Sequence, residues 1–344
     1  MGEKSVKYKD MKHLIPFRVY EAQMTSGLTQ KQKTLLTKYT QGTWSVNQQT
    51  GLVDVEGSFN CDNIRLKSLR GISFGHVSGN FNCDGNQLTS LAGAPQTVGG
   101  DFRCSANQLT SLAGAPQTVG GDFRCSANQL TSLAGAPQTV DGNFSCDANQ
   151  LTSLAGAPQT VGEGFYCSIN QLTSLTGAPQ TVGGDFRCSA NQLTSLAGAP
   201  QTVDGNFDCD ANQLTSLAGA PQTVRGDFSC FGNLLTSLAG APQTVDWYFM
   251  CEEFKLDRGE WNMEGWLEVL NTGTAAAKKL ILTLPWLQPD WWNSELQRDP
   301  GKTVHLLSVV WKHMPKDMQS AIKIPRGYED DFELFSGFDE LGLF

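Results

Sequence analysis

The chain has 344 residues, 36 of them glycine, with a charged fraction of 17% and a formal net charge of -9. That acidic balance argues against a nucleic-acid ligand, because phosphates require a concentrated Lys/Arg surface. No run reaches the roughly 20 apolar residues of a membrane-crossing helix, and the first residues are polar rather than the apolar core of a secretory leader, so a soluble cytoplasmic protein with no membrane contact is expected.

Residues 1–27 read as a flexible leader, within which Met11 offers an alternative start. Thr29-Gln30-Lys31-Gln32 has the form of a capping box, and Leu35, Leu36 and Tyr39 follow at helical spacing, which predicts a short helix. Residues 43–46 and 52–55, with a polar turn between them, predict a hairpin. Residues 28–57 together form an N-terminal cap, since an open coil would expose apolar core and strand edge.

Residues 58–257 are an array of repeats. All ten cysteines, from Cys61 and Cys83 to Cys251, fall on one ladder with a spacing of 21 and a single 22, and each has a phenylalanine two positions before it. Phe and Cys therefore share the inward face of an extended strand. Parallel neighbouring strands would aim these thiols the same way about 4.8 Å apart, which is poor disulfide geometry. One cysteine per coil with no histidine beside it does not match a zinc site. Buried, reduced thiols are the expectation, and they favour a reducing compartment.

The full unit, V-x-x-x-F-x-C-x-x-N-x-L-T-S-L-x-G-A-P-Q-T, spans residues 98–118. One coil cannot bury Phe, Cys, Val and two Leu alone, but a stack makes a continuous core. The asparagine three places after each cysteine, Asn86 to Asn233, is placed to bond backbone groups of its own turn and of the next coil. Gly-Ala-Pro-Gln-Thr supplies the return bend.

The copies differ mainly at positions flanking Phe and Cys, which predicts an outward contact face with Arg103, Arg124, Tyr166, Arg187, Phe231 and Met250 as anchors. The competing reading is free drift, with Asp101 beside Arg103 a solvated charge pair worth under about 1 kcal/mol. The threonine columns suggest an ice-facing surface as a further option, weakened because no T-x-T pair lies on a strand.

Seven of the eight tryptophans lie beyond residue 246. Short helices are predicted over 261–270, 274–284, 290–297 and 303–314, separated by Gly273, Pro285, Pro300 and Pro315. They would make a helical domain over residues 258–327, its core and its seal on the last coil built from these tryptophans. Residues 328–344 alternate acidic and apolar side chains. Phe338, Leu341, Leu343 and Phe344 are the candidate anchors of a docking tail, against the simpler expectation of an amphipathic helix packed on its own domain.

F-x-C-x-x-N-x-L-T-S-L resembles the leucine-rich repeat core L-x-L-x-x-N-x-L in its short bacterial form, and is similar to the L-T-S-L-x-G-A-P arrays of tailed-bacteriophage proteins. The resemblance implies a mainly-β, leucine-rich-repeat-like solenoid of about ten 21-residue coils with a helix/hairpin cap before it and an α-helical domain after it. It also implies a phage origin. Glu340-Leu341-Gly342-Leu343-Phe344 resembles the Q-L-x-L-F peptide that binds bacterial sliding clamps, with Glu in place of Gln. Residues 11–22 resemble the leader of some phage internal proteins, cleaved after a Glu such as Glu21.

His13, His76, His305 and His313 lie apart from any nucleophile or metal-ligand spacing. A non-enzymatic scaffold that binds a protein partner is therefore expected, without cofactor or metal; the alternative is a structural or packaged virion component.

Overall fold

The computed structural model describes residues 27–252, 254–256, 263–330 and 332. Helix α1 (Gln30–Tyr39) begins at the expected capping box: the Thr29 hydroxyl accepts from the Gln32 N–H at 3.3 Å, and Gln32 Oε1 accepts from the Thr29 N–H at 2.6 Å. Strands β1 (Thr40–Val46) and β2 (Val53–Asn60) follow as an antiparallel hairpin. Its turn is held by Asn47, whose Oδ1 accepts from the N–H groups of Gln49 and Thr50 at 3.0 and 3.2 Å.

β2 is long enough to start two ladders at once. Val53 and Val55 pair in parallel with β3 (Phe74–Val77), while Phe59 and Asn60 pair with Phe81 and Asn82. From there every coil contributes two short parallel strands, one of Thr-Val and one beginning with Phe, each in register with the same residues of the next coil, as in Thr97↔Thr118 and Phe102↔Phe123. The valine thus lies on a ladder of its own, separated from Phe by a bend, not at the start of a single Phe-x-Cys strand. Ten Phe rungs bound about nine turns of about 21 residues, one fewer than the ten coils expected, because the first rung belongs to β2.

The core is a dry spine. The rings of Phe59, Phe81 and the eight that follow stack with centroids 5.2–5.7 Å apart and planes 5–26° from parallel. Burying one such side chain contributes about 1.5–3 kcal/mol, and an aromatic pair about 0.5–1.5 more. Cys, both Leu and Val of the unit fill the remaining inward positions. The chain reverses at Leu-x-Gly-Ala: Ala115 N–H donates to Leu112 O at 2.9 Å, and Gly114 takes φ +90°, the type II arrangement that excludes most side chains.

Beyond the last coil come α2 (Met263–Thr272), α3 (Ala275–Ile281), a single 3-10 turn (Pro285–Leu287), α4 (Pro289–Arg298), α5 (Pro300–Trp311) and α6 (Lys316–Ala321). Trp292 is fully buried, and Trp266 packs on Trp286 with centroids 5.3 Å apart. Trp247 departs from expectation: it is 47% exposed and so is not part of a sealed core. Trp261 lies outside the described residues. No described helix is long and apolar enough to cross a membrane.

Candidate interaction face

The outward face is set by what holds the inward one. All ten cysteines are free and buried. Six thiols donate to the backbone carbonyl twenty residues on, as Cys83 Sγ to Arg103 O at 3.2 Å and Cys146 Sγ to Tyr166 O at 3.3 Å. Burial pushes the thiols well above their ordinary pKa, at Cys61 to about 12, so they are inert small hydrophobes near neutrality.

The asparagine ladder forms with one change of direction: each side chain ties its coil to the preceding coil. Asn128 Nδ2 donates to Cys104 O at 3.0 Å as well as to its own Cys125 O at 3.0 Å and Ser126 O at 3.2 Å, while its Oδ1 accepts from Leu109 N–H at 3.0 Å. The same set recurs from Asn86 to Asn233.

A second ladder runs through positions that the sequence presents as variable. The residue before Phe, Gly164 apart, uses a side-chain oxygen to accept the N–H of its equivalent one coil later: Asn80 from Asp101 at 2.8 Å, Asp101 from Asp122 at 2.9 Å, Asp122 from Asn143 at 2.8 Å, Asn143 from Gly164 at 2.9 Å. Asp185 and Asn206 continue it. A third set sits after the cysteine on every third coil, where Asp84, Asp147 and Asp210 accept from Ser105, Ser168 and Phe231 N–H at 2.5–2.7 Å. These acidic residues are braces. Burial raises the carboxyls of Asp84, Asp147 and Asp210 above their ordinary value. At Asp122 burial also works upward, but bonds from the Asn143 N–H and side-chain amide and from Arg124 outweigh it and hold the group below that value.

What remains free to vary is the column just after Phe. It holds, in register, Arg103, Arg124, Ser145, Tyr166, Arg187, Asp208, Ser229 and Met250. The arginines do pair within their own strands, Arg103–Asp101 at 2.7 Å, Arg124–Asp122 at 2.6 Å and Arg187–Asp185 at 2.7 Å, which orients the guanidinium on a carboxylate whose other oxygen serves the ladder. Arg103 and Arg124 are therefore adjacent, and Arg187 lies over the Tyr166 ring at 5.4 Å, with Ser145 between the two pairs. Ser229 is buried, which separates Met250 from the rest. Phe231 is 37% exposed but stands in the column after the cysteine, apart from the arginines. Phe338, Leu341, Leu343 and Phe344 lie outside the described residues, whereas Phe332 packs edge-on against Trp311 at 4.8 Å.

Two exposed apolar residues were absent from the sequence-based set. Ile169, at 61% exposure, replaces an alanine, and Leu234, at 64%, replaces a glutamine. Both are apolar departures from columns that hold small or polar residues elsewhere, a signal present in the sequence. Among the described residues no group of three or more His, Cys, Asp or Glu is placed to hold a metal ion. The chain has no match among protein families, curated proteins or solved structures; the fold and the face stand on their own geometry.

Proposed function

We propose that the chain is a non-enzymatic interaction scaffold, a solenoid of the short leucine-rich type encoded by a phage, that presents the column after Phe and an acidic C-terminal tail to a protein partner in the host cytoplasm. One observation carries this: inward positions repeat the same residues and bracing positions, Gly164 apart, keep an acceptor oxygen, while the column after Phe, held in register on a parallel sheet, bears Arg103, Arg124, Tyr166 and Arg187. Arg and Tyr are the residues that concentrate binding energy in protein interfaces. The leucine-rich type and the phage origin rest on the F-x-C-x-x-N-x-L and L-T-S-L-x-G-A-P motifs. Ten buried free thiols agree with a reducing compartment.

Site-specific photo-crosslinking in the native host tests it. A crosslinker at position 124 should give a discrete adduct with one partner, and a crosslinker at Thr139, on the other ladder, should not. Equal labelling from both positions, or none, refutes the scaffold reading. Removing residues 333–344 then assigns the contact: an adduct that persists belongs to the sheet face, and one that vanishes belongs to the tail.

A further inference from the structure

One coil, residues 162–182, departs from its neighbours in a concerted way. Gly164 stands where the adjoining coils have Asn143 and Asp185. A Cβ there would fall 2.4 Å from Tyr166 Oη and 2.5 Å from its Cζ, so the tyrosine ring lies back over the space that the glycine leaves and would have to swing aside for any other residue. The cost is a broken brace, because Gly164 has no side chain with which to accept the Asp185 N–H. Three residues after the tyrosine, Ile169 sits at φ +56° with 61% of its surface exposed. The solenoid imposes that left-handed conformation on every coil: Ala127, Ala148, Ala190 and Ala211 share it at φ 51–53°. Alanine tolerates it far better than a β-branched residue does.

Each change weakens the fold: a lost hydrogen bond, a strained β-branched residue, an apolar side chain given to water. They also meet in space, since the Tyr166 ring occupies the room that a Cβ at Gly164 would take. Drift at a surface position removes constraints; it does not gather several costs on one coil, and strain of this kind concentrates at functional sites. The charge at the spot is specific too. The charged groups facing Tyr166 are Asp185, Glu163 and Asp147 against Arg187, which is already engaged with Asp185 at 2.7 Å and with the Tyr166 ring at 5.4 Å. The surface left over is apolar with a negative rim.

We infer that the coil of residues 162–182 is the docking site for a protein segment that places apolar side chains on Tyr166 and Ile169 and an adjacent Lys or Arg among Asp147, Glu163 and Asp185. This rests on the scaffold function proposed above and narrows it to one coil and a basic-apolar partner.

The test compares the full-length protein with G164D/Y166R/I169A, which copies Asp185, Arg187 and Ala190 of the following coil and should melt at or above the parent temperature. Both are screened against a displayed library of random dodecapeptides. Peptides enriched on the parent should carry Lys or Arg beside an apolar residue, bind the triple variant at least tenfold more weakly, and weaken as salt rises. Ile169→Ala alone, which removes only an exposed side chain, should lose at least threefold. Equal affinity for parent and variant overturns the site while leaving a scaffold that binds elsewhere. Enrichment of acidic peptides overturns the partner chemistry. No enrichment at all overturns the proposal, and the crosslinking at position 124 decides the scaffold function independently.

Discussion

Asn128→Ala should destabilise the middle of the solenoid by about 2–4 kcal/mol, a figure set by the hydrogen bonds its side chain makes. The Asn128 side chain donates to Cys104 O, Cys125 O and Ser126 O and accepts from Leu109 N–H. The three carbonyls keep other donors: Cys104 O retains Asn107 at 3.2 Å, Cys125 O retains Asn149 at 3.1 Å, and Ser126 O retains the Ala106 N–H at 2.9 Å. Leu109 N–H keeps none, in a residue with no exposed surface. An orphaned buried donor costs about 1–3 kcal/mol, and the bonds lost around it add about 1 more. Asn128→Asp should cost more than Ala near neutral pH: it still accepts from Leu109, but turns a carboxylate oxygen toward three carbonyl oxygens in a buried site.

Repeat arrays do not unfold as one unit, so hydrogen exchange is the right assay. Protection should fall at residues of the two coils joined by Asn128 and hold near both ends, with Thr131→Ala, on an exposed side chain, as the silent control. If Asn128→Ala changes local opening by less than about 0.5 kcal/mol, roughly an eighth to a quarter of the expected loss, the ladder is not what joins the coils. An Asp variant as stable as the parent would refute the donor role of the amide.

Iodoacetamide should label none of the ten cysteines in the folded protein and all of them after denaturation, read by mass spectrometry, because burial raises the thiols far from their reactive form. The carboxylates give a pH test of opposite signs. Asp147 is raised, so the folded chain holds its proton longer than the unfolded one, and its contribution falls as pH rises from the ordinary carboxylate range through the raised value; Asp147→Asn should stabilise at neutral pH and do nothing well below that range. Asp122 is lowered, so it adds stability above the ordinary carboxylate range that is lost as pH falls through its folded value; Asp122→Asn should destabilise at neutral pH, the gap closing in acid. Gly164→Asp, which displaces the Tyr166 ring, should be less favourable with Tyr166 in place than in the Tyr166→Arg background, a double-mutant cycle on thermal or chemical melting that fails if the two changes simply add.

The spine was legible because its residues recur unchanged: Phe two before Cys, Leu three before Leu, and a polar Asn that never varies inside an apolar frame can only be satisfying backbone. The bracing ladder was hidden by chemistry that looks like variation. Asp and Asn alternate at positions 101, 122, 143, 185 and 206, but each offers the same acceptor oxygen, so a constant role is written in two letters. The three-coil period of Asp84, Asp147 and Asp210 was readable in the same way. The left-handed turn had its signal in Asn63, Gly85 and Gly232, which occupy a column filled mostly by alanine. Direction was not readable: sequence period cannot say whether Asn reaches the coil before it or after it. Helix α6 was missed because six residues after a proline carry too little periodicity to separate from a loop.

Coils this alike pose a problem that their own core cannot solve, since a shift by one whole coil preserves every Phe, Cys and Asn contact. The ends must therefore fix the register and stop the growth. At the start, β2 templates both ladders from one continuous strand while β1 covers its other edge in antiparallel sense. At the finish, the strand Phe254–Leu256 pairs antiparallel with Phe249–Cys251, and Leu238 N–H of the last turn donates to Thr283 Oγ1 of the helical domain at 2.5 Å. An antiparallel strand presents the wrong hydrogen-bond pattern to another parallel coil. Neither cap is a repeat, so each can occupy only its own end. A protein built to propagate is thereby held to about nine turns, with the column after Phe at a fixed length and the coil of Tyr166 at a fixed place along it.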